Sequence, residues 1–134
     1  MNYQIVHDLS EMPLNEVERL LKTTYWANRR PPEQIETSMR NSTCYGVRVD
    51  GEARLVGFAR VISDGATTYY LCDVVIDPEY RGHGLGTALV AHIVSRPEFA
   101  GLRGLLITRD AHALYRKFGF ETVEGRAMVK SLCC

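Results

Sequence analysis

The chain has 134 residues, 16 Lys and Arg against 16 Asp and Glu, and 46% hydrophobic residues, which fits one domain spanning 1–134 with a real core. A formal net charge of zero favours neither nucleic acid nor a membrane surface as the main partner. No apolar stretch approaches the roughly 18 residues of a membrane span, and Met1-Asn2-Tyr3-Gln4 does not begin a signal peptide, so a cytoplasmic protein is expected.

Residues 3–7 alternate as a first strand. Leu14, Val17, Leu20, Leu21 and Thr24 mark an amphipathic helix with Pro13 near its first turn. Beyond Tyr25-Trp26-Ala27-Asn28-Arg29-Arg30, Pro31-Pro32 stops one element, and Ile35 and Met39 predict a short second helix. Strands are expected over 44–49, 55–62 and 67–76, with Asp50-Gly51 and Asp64-Gly65 as hairpin signals between them. The glycine-rich turn Arg81-Gly82-His83-Gly84-Leu85-Gly86-Thr87 then opens a helix on which Leu85, Leu89 and Ile93 recur, and Arg96-Pro97 ends it. Leu105-Leu106-Ile107-Thr108 reads as a short buried strand. Asp110 as N-cap and Gly119 as the C′ residue bracket a helix carrying Tyr115. Residues 121–130 are expected to close the fold as a strand or hairpin.

A strand, a glycine turn starting at an arginine and then a helix make an anion site. Glycines let the backbone approach, N–H groups point into the turn, and the helix dipole adds positive charge. A pyrophosphate is the expected guest. A P-loop needs Lys followed by Ser or Thr after its last glycine, and Gly86 is followed by Thr87-Ala88. A dinucleotide fold needs a different glycine spacing in its first unit and an acidic residue about 20 positions on, where Leu102 to Thr108 is apolar or basic. The four cysteines form no C-x-x-C pair and no zinc-like array with His7, His83, His92 and His112, so no metal is expected. Cys133-Cys134 reads as an oxidisable tail.

Arg81-x-x-Gly84-x-Gly86, preceded by Val75-Ile76-Asp77-Pro78-Glu79-Tyr80, resembles the acetyl-CoA pyrophosphate loop of the Gcn5-related N-acetyltransferases, the GNAT superfamily. The run from Ala111 through Tyr115 to Gly119-Phe120 resembles the helix that carries the family's tyrosine near the cofactor sulfur. The resemblance covers nearly the whole chain. It implies an α/β fold, a mixed sheet with helices on both faces in the order β-α-α-β-β-β-α-β-α-β. It also implies acetyl transfer from acetyl-CoA to a primary amine, on a small molecule or a peptide, by direct attack in a ternary complex. Cofactor contacts are implied for Val74, Val75, Ile76, Arg81, Gly82, His83, Gly84, Leu85, Gly86, Thr87, Thr108 and Tyr115. Thr108 stands where the family often has an asparagine. Dimerisation is common in the superfamily, often through the last strands, so a homodimer is implied.

Tyr115 is the candidate proton donor to the departing thiolate; its other reading is a core tyrosine, since Ala111 and Phe118 share its helix face. Asp73 is the candidate base, because a carboxylate inside an apolar strand is costly unless paired or facing a wet cleft. Its other reading is a salt bridge to Arg60 on the neighbouring strand. Tyr69, Leu71, Asp73 and Val75 share one face unless a bulge shifts the phase. The acceptor wall falls on Tyr25, Trp26, Arg29 and Asp73, with Arg30 beside them; the other reading is a core-capping tryptophan and a solvated turn. Cys72 is a further acyl-accepting candidate without a histidine nearby in sequence. Two alternative functions stand beside the enzyme: a catalytically silent acyl-CoA-binding module and a nucleotide-binding domain.

Overall fold

In the computed structural model, which describes residues 1–131, one sheet of five strands runs in the order β1-β2-β3-β4-β5. The strands are β1 (Tyr3–Val6), β2 (Thr43–Val49), β3 (Gly57–Ser63), β4 (Thr68–Ile76) and β5 (Arg103–Leu105). The first four pair antiparallel, and β5 joins β4 in parallel. Helices α1 (Leu14–Leu21) and α2 (Pro32–Arg40) cover one face, and α3 (Leu85–Val94), α4 (Pro97–Ala100) and α5 (His112–Arg116) cover the other. No helix among the described residues is long and apolar enough to cross a membrane. The Cys133-Cys134 tail lies outside the described residues.

Each layer follows from its apolar spacing. Val17, Leu20 and Leu21 of α1 and Ile35 and Met39 of α2 turn inward against Cys44, Phe58 and Val75 of the sheet. Pro32 sits in the first turn of α2, where its missing N–H costs nothing. On the opposite face Leu85, Leu89, Val90 and Ile93 press on Tyr45, Val47, Val61 and Leu71. Strand β3 begins later than its apolar run because Leu55 is claimed by α1. The Glu16 carboxylate accepts from the Leu55 N–H at 3.1 Å, and Arg19 Nη2 donates to the Leu55 carbonyl at 2.6 Å.

Three expectations for the last third of the chain need correction. The strand expected over 105–108 is instead β5, which matches β4 only at Thr68–Arg103, Tyr69–Gly104 and Tyr70–Leu105. The apolar residues read as a buried strand lie past its end, and Ile107 is 68% exposed. Asp110 does not cap α5. Ala111 holds the cap position without a side-chain cap, and its N–H is taken by the Thr108 hydroxyl, three residues earlier, at 3.0 Å. The closing strand over 121–130 is absent among the described residues. That segment turns at 124–126 with Gly125 in the left-handed region, and Val123, Met128 and Val129 are exposed. An edge strand of three residues offers a neighbour little to pair with.

Gly57 locks β3 between its neighbours. A Cβ there would lie 2.8 Å from Ile76 Cδ1 and 3.0 Å from Val47 Cβ, and buried Val47 is stiff at χ1. Gly57→Ala is expected to destabilise the protein by about 1–3 kcal/mol through overpacking. Urea denaturation checks this; an unchanged midpoint would contradict the close approach.

Candidate active site

The site begins where two strands part. Beyond Tyr70–Leu105, β4 has no partner on its β5 side among the described residues, so its last six residues line an open edge. At the same place β4 bulges. Arg60 opposes Cys72 and Phe58 opposes Val75, leaving Asp73 and Val74 of β4 across from Ala59 alone. Asp73 takes φ 55°, the one left-handed non-glycine residue among those described.

The bulge reverses the alternation of faces. Tyr69 and Leu71 belong to the core under α3, whereas Val75 belongs to the core under α1 and α2, and Val74 and Ile76 pack toward α3. The Asp77 N–H donates to the Val56 carbonyl at 2.8 Å, on the β3 side. Successive amides of an extended chain point to opposite edges, so the Ile76 N–H points to the side that β5 has left.

From that edge the chain enters the glycine turn. Gly82 (φ 84°) and Gly84 (φ 78°) hold left-handed angles that other residues rarely adopt, and Gly84 caps α3. Among the described residues, no backbone N–H from Gly82 to Thr87 donates to another protein group. The N-terminus of α3 therefore presents a row of free donors beside the Arg81 guanidinium. The turn is braced from below by residues that the motif reading missed. Buried Asp77 accepts from the Glu79 N–H at 2.9 Å and from Arg19 Nη1 at 2.8 Å. Burial alone would raise the Asp77 carboxyl, but those partners hold it below its ordinary range.

These elements enclose a cleft of about 1040 Å³. Its lining includes Tyr25, Trp26, Asp73, Val74, Val75, Ile76, Arg81, Gly82, Gly84, Leu85, Gly86, Thr87, Thr108 and Tyr115. Two sequence candidates do not line it: exposed His83, and Arg29, which lines an adjoining depression with Asn28 and Gln34 that shares Tyr25, Trp26 and Arg30 with the cleft. Arg30, the neighbour of Arg29, faces the cleft.

Tyr115 is buried against Phe120, yet it also faces the cleft, so its core and cleft readings coexist. Burial, with Asp110 and Tyr25 nearby, pushes its phenol up to about 12, which keeps it protonated at neutral pH. Cys72 faces the same space, and burial pushes its thiol up to about 11. At neutral pH it is a thiol, a weak nucleophile.

Asp73 is held from three directions. Its carboxylate accepts from Arg30 Nη1 at 2.7 Å, Arg60 Nε at 3.0 Å and Trp26 Nε1 at 3.1 Å. Burial alone would raise this carboxyl, but Arg30 and Arg60 hold it below the ordinary range. The salt bridge to Arg60 is thus present, joined by an arginine and an indole from the α1–α2 connection. Only the bulge makes this possible, by turning Asp73 toward that connection. Tyr25 and Trp26 meet edge to face at 5.0 Å, and the Arg109 guanidinium lies 3.7 Å over the Tyr25 ring. No group of three or more His, Cys, Asp or Glu side chains converges as metal ligands among the described residues.

Comparison with known proteins bears on this cleft. The sequence model of the Acetyltransferase (GNAT) family matches residues 6–120. The protein named "Uncharacterized N-acetyltransferase ycf52" in Pyropia yezoensis is 30% identical over 112 residues, 80% of this chain and 64% of that protein. Histone acetyltransferase TAP1 of Glycine max is 30% identical over 105 residues, 69% of this chain and 46% of that protein. The chain therefore spans less than two thirds of the length of these relatives. A crystal structure from Xanthomonas campestris pv. campestris, of a protein described as belonging to the GNAT family, matches with TM-score 0.90 and 36% identity. It covers 98% of this chain and 94% of that one.

The clamp on Asp73 has a measurable weight. Asp73→Ala removes the acceptor of all three donors and places alanine at φ 55°, so a loss of about 3–5 kcal/mol is expected. Asp73→Asn, which keeps one acceptor oxygen and tolerates the left-handed region, costs less. The carboxyls of Asp73 and Asp77 are lowered, so their stabilisation is present above the ordinary carboxylate pKa. It is lost as pH falls through their folded values. Acid titration followed by circular dichroism checks both points. Asp73→Asn should fall less steeply than the wild type below about pH 4, and parallel curves would contradict the clamp.

Proposed function

The chain belongs to the acetyltransferase (GNAT) family, and we propose that it transfers an acetyl group from acetyl-CoA to a primary amine, on a small molecule or a peptide, while both are bound. The observation that carries this reading is the row of free N–H groups from Gly82 to Thr87 in the same cleft as the open edge of β4 and Tyr115. The residues present fit a CoA thioester. Arg81 and the amides of Gly82 to Thr87 would hold the pyrophosphate. The edge from Val74 to Ile76 offers backbone groups to the amide-bearing arm, with the Thr108 hydroxyl nearby. When bound, acetyl-CoA supplies an acetyl group activated as a thioester, so that a nitrogen–carbon bond forms as the carbon–sulfur bond breaks and one amine proton finishes on sulfur.

The chain's own groups then have separate tasks. The Ile76 N–H offers a hydrogen bond where negative charge develops on the carbonyl oxygen. Tyr115 holds a proton at Oη, the place a leaving thiolate needs one. The acceptor must shed a proton before its nitrogen can attack. Asp73 stands on the acceptor side, but a carboxylate gripped by two guanidiniums has little affinity for a proton at neutral pH. We assign the deprotonation to water in the cleft mouth, and to Asp73 the holding of the bulge and of the two arginines.

Calorimetric titration with acetyl-CoA, with ATP and NAD as controls, tests the cofactor. Saturable binding of acetyl-CoA alone is expected, and its absence would overturn the reading. Tyr115→Phe is expected to lower kcat by about 10²-fold with little change in the KM for acetyl-CoA, read as CoA release. Tight acetyl-CoA binding with no Tyr115-dependent release from any amine would mark a silent binding module instead.

A further inference from the structure

The acceptor half of the cleft carries a charge imbalance that acetyl transfer leaves unused. Arg30 and Arg60 both pair with Asp73, at 2.7 Å and 3.0 Å, and the three side chains are 20%, 12% and 3% exposed. Two guanidiniums share one carboxylate, so one positive charge remains in a place too enclosed for full screening by water. Donors remain as well. Arg30 uses only Nη1, on Asp73; Arg60 uses Nε on Asp73 and Nη1 on the Ser42 hydroxyl at 3.1 Å. Arg30 Nε and Nη2 and Arg60 Nη2 have no protein acceptor among the described residues. Arg109 and Asp110, also on the cleft wall, stand 3.9 Å apart and offset each other, and Arg29 lines the adjoining depression with Arg30.

We propose that the acceptor is an amine that also carries an anionic group, a carboxylate or a phosphate, bound by Arg30 and Arg60. This rests on the acetyltransferase reading and names its substrate class. The anion neutralises the spare charge through charge-assisted hydrogen bonds, the task for which a guanidinium fork is suited. Trp26, hydrogen-bonded to Asp73, and Tyr25, edge to face with it under Arg109, offer aromatic surface to the acceptor's body. A polyamine or a lysine-rich peptide brings like charge to the same place and is disfavoured. The anionic group takes no part in bond making.

The test has two stages. The protein is first titrated with CoA alone; no binding would overturn the acetyltransferase reading and this inference with it, before any anion is added. The CoA-saturated protein is then titrated with inorganic phosphate and, separately, acetate. The readout is fluorescence of Trp26, the one tryptophan of the chain. Expected is a saturable response, weakened about tenfold in Arg30→Gln, partly restored in Arg30→Lys, and strengthened about threefold in Asp73→Asn. Circular dichroism verifies that each variant is folded. Opposite signs from opposite charge changes do not arise from general loosening; no response, or equal affinities throughout, overturns the anion site. With acetyl-CoA present, an α-amino acid is compared with its amide, and a 2-amino sugar with its 6-phosphate. A kcat/KM about tenfold higher for the anionic member of either pair supports the assignment and separates carboxylate from phosphate. Equal or better turnover of the neutral members or of a polyamine, or no turnover of either anionic amine, overturns it.

Discussion

One residue in an uncommon conformation organises this site. Asp73 sits at φ 55° in the middle of β4, with its carboxylate almost fully withdrawn from water. Either condition alone is unfavourable: the left-handed angle costs about 1–2 kcal/mol for a side chain with a Cβ, and a buried charge costs several more. Arg30, Arg60 and Trp26 together make the arrangement stable by meeting both carboxylate oxygens. The consequence runs along the strand. One extra residue reverses the faces, so Val75 joins the core beneath α1 and α2 while Val74 and Ile76 turn toward α3.

The second consequence is space. Strand β5 matches β4 for three residues and then departs, and the bulge lies just beyond that point. A straight, fully paired β4 would bury every amide of its edge. Here the Ile76 edge stays open and runs directly into a turn whose own amides have no protein acceptor. The ion pair from Arg19 to Asp77 ties the start of that turn to α1. The site is therefore built on an interrupted sheet, tied by ion pairs to α1 and to the α1–α2 connection.

Much of this was legible in the sequence because local patterns dominate there. The α1 and α2 spacings, the Asp64-Gly65 hairpin and the glycine turn into α3 each rest on chemistry within a few residues, and four of the six expected strands and both motif helices formed where they were expected. The misreadings have another origin. Residues 105–108 look like a buried strand because apolar composition does not reveal whether a partner strand follows; Ile107 instead lines the cleft. Residues 121–130 have strand-like spacing, but sheet membership depends on a free edge that the sequence does not display. The burial of Tyr69, Leu71, Asp73 and Val75 alternates as expected, yet they face two different cores, because a bulge leaves the periodicity of burial intact while exchanging the sides. Arg30 rather than Arg29 reaches the cleft for a related reason: an irregular connection has no period from which a side chain's direction can be read.

The proposed acetyl-CoA surface joins the open edge of β4 to the amides of the glycine turn. Residue-resolved amide hydrogen exchange by NMR, with and without acetyl-CoA, tests it most directly. Slowed exchange at Ile76 together with Gly82 to Thr87, and little change at the paired amides of β2, is the predicted result. Protection confined to other segments, or unchanged exchange at Ile76 while the turn is protected, would contradict a single continuous site.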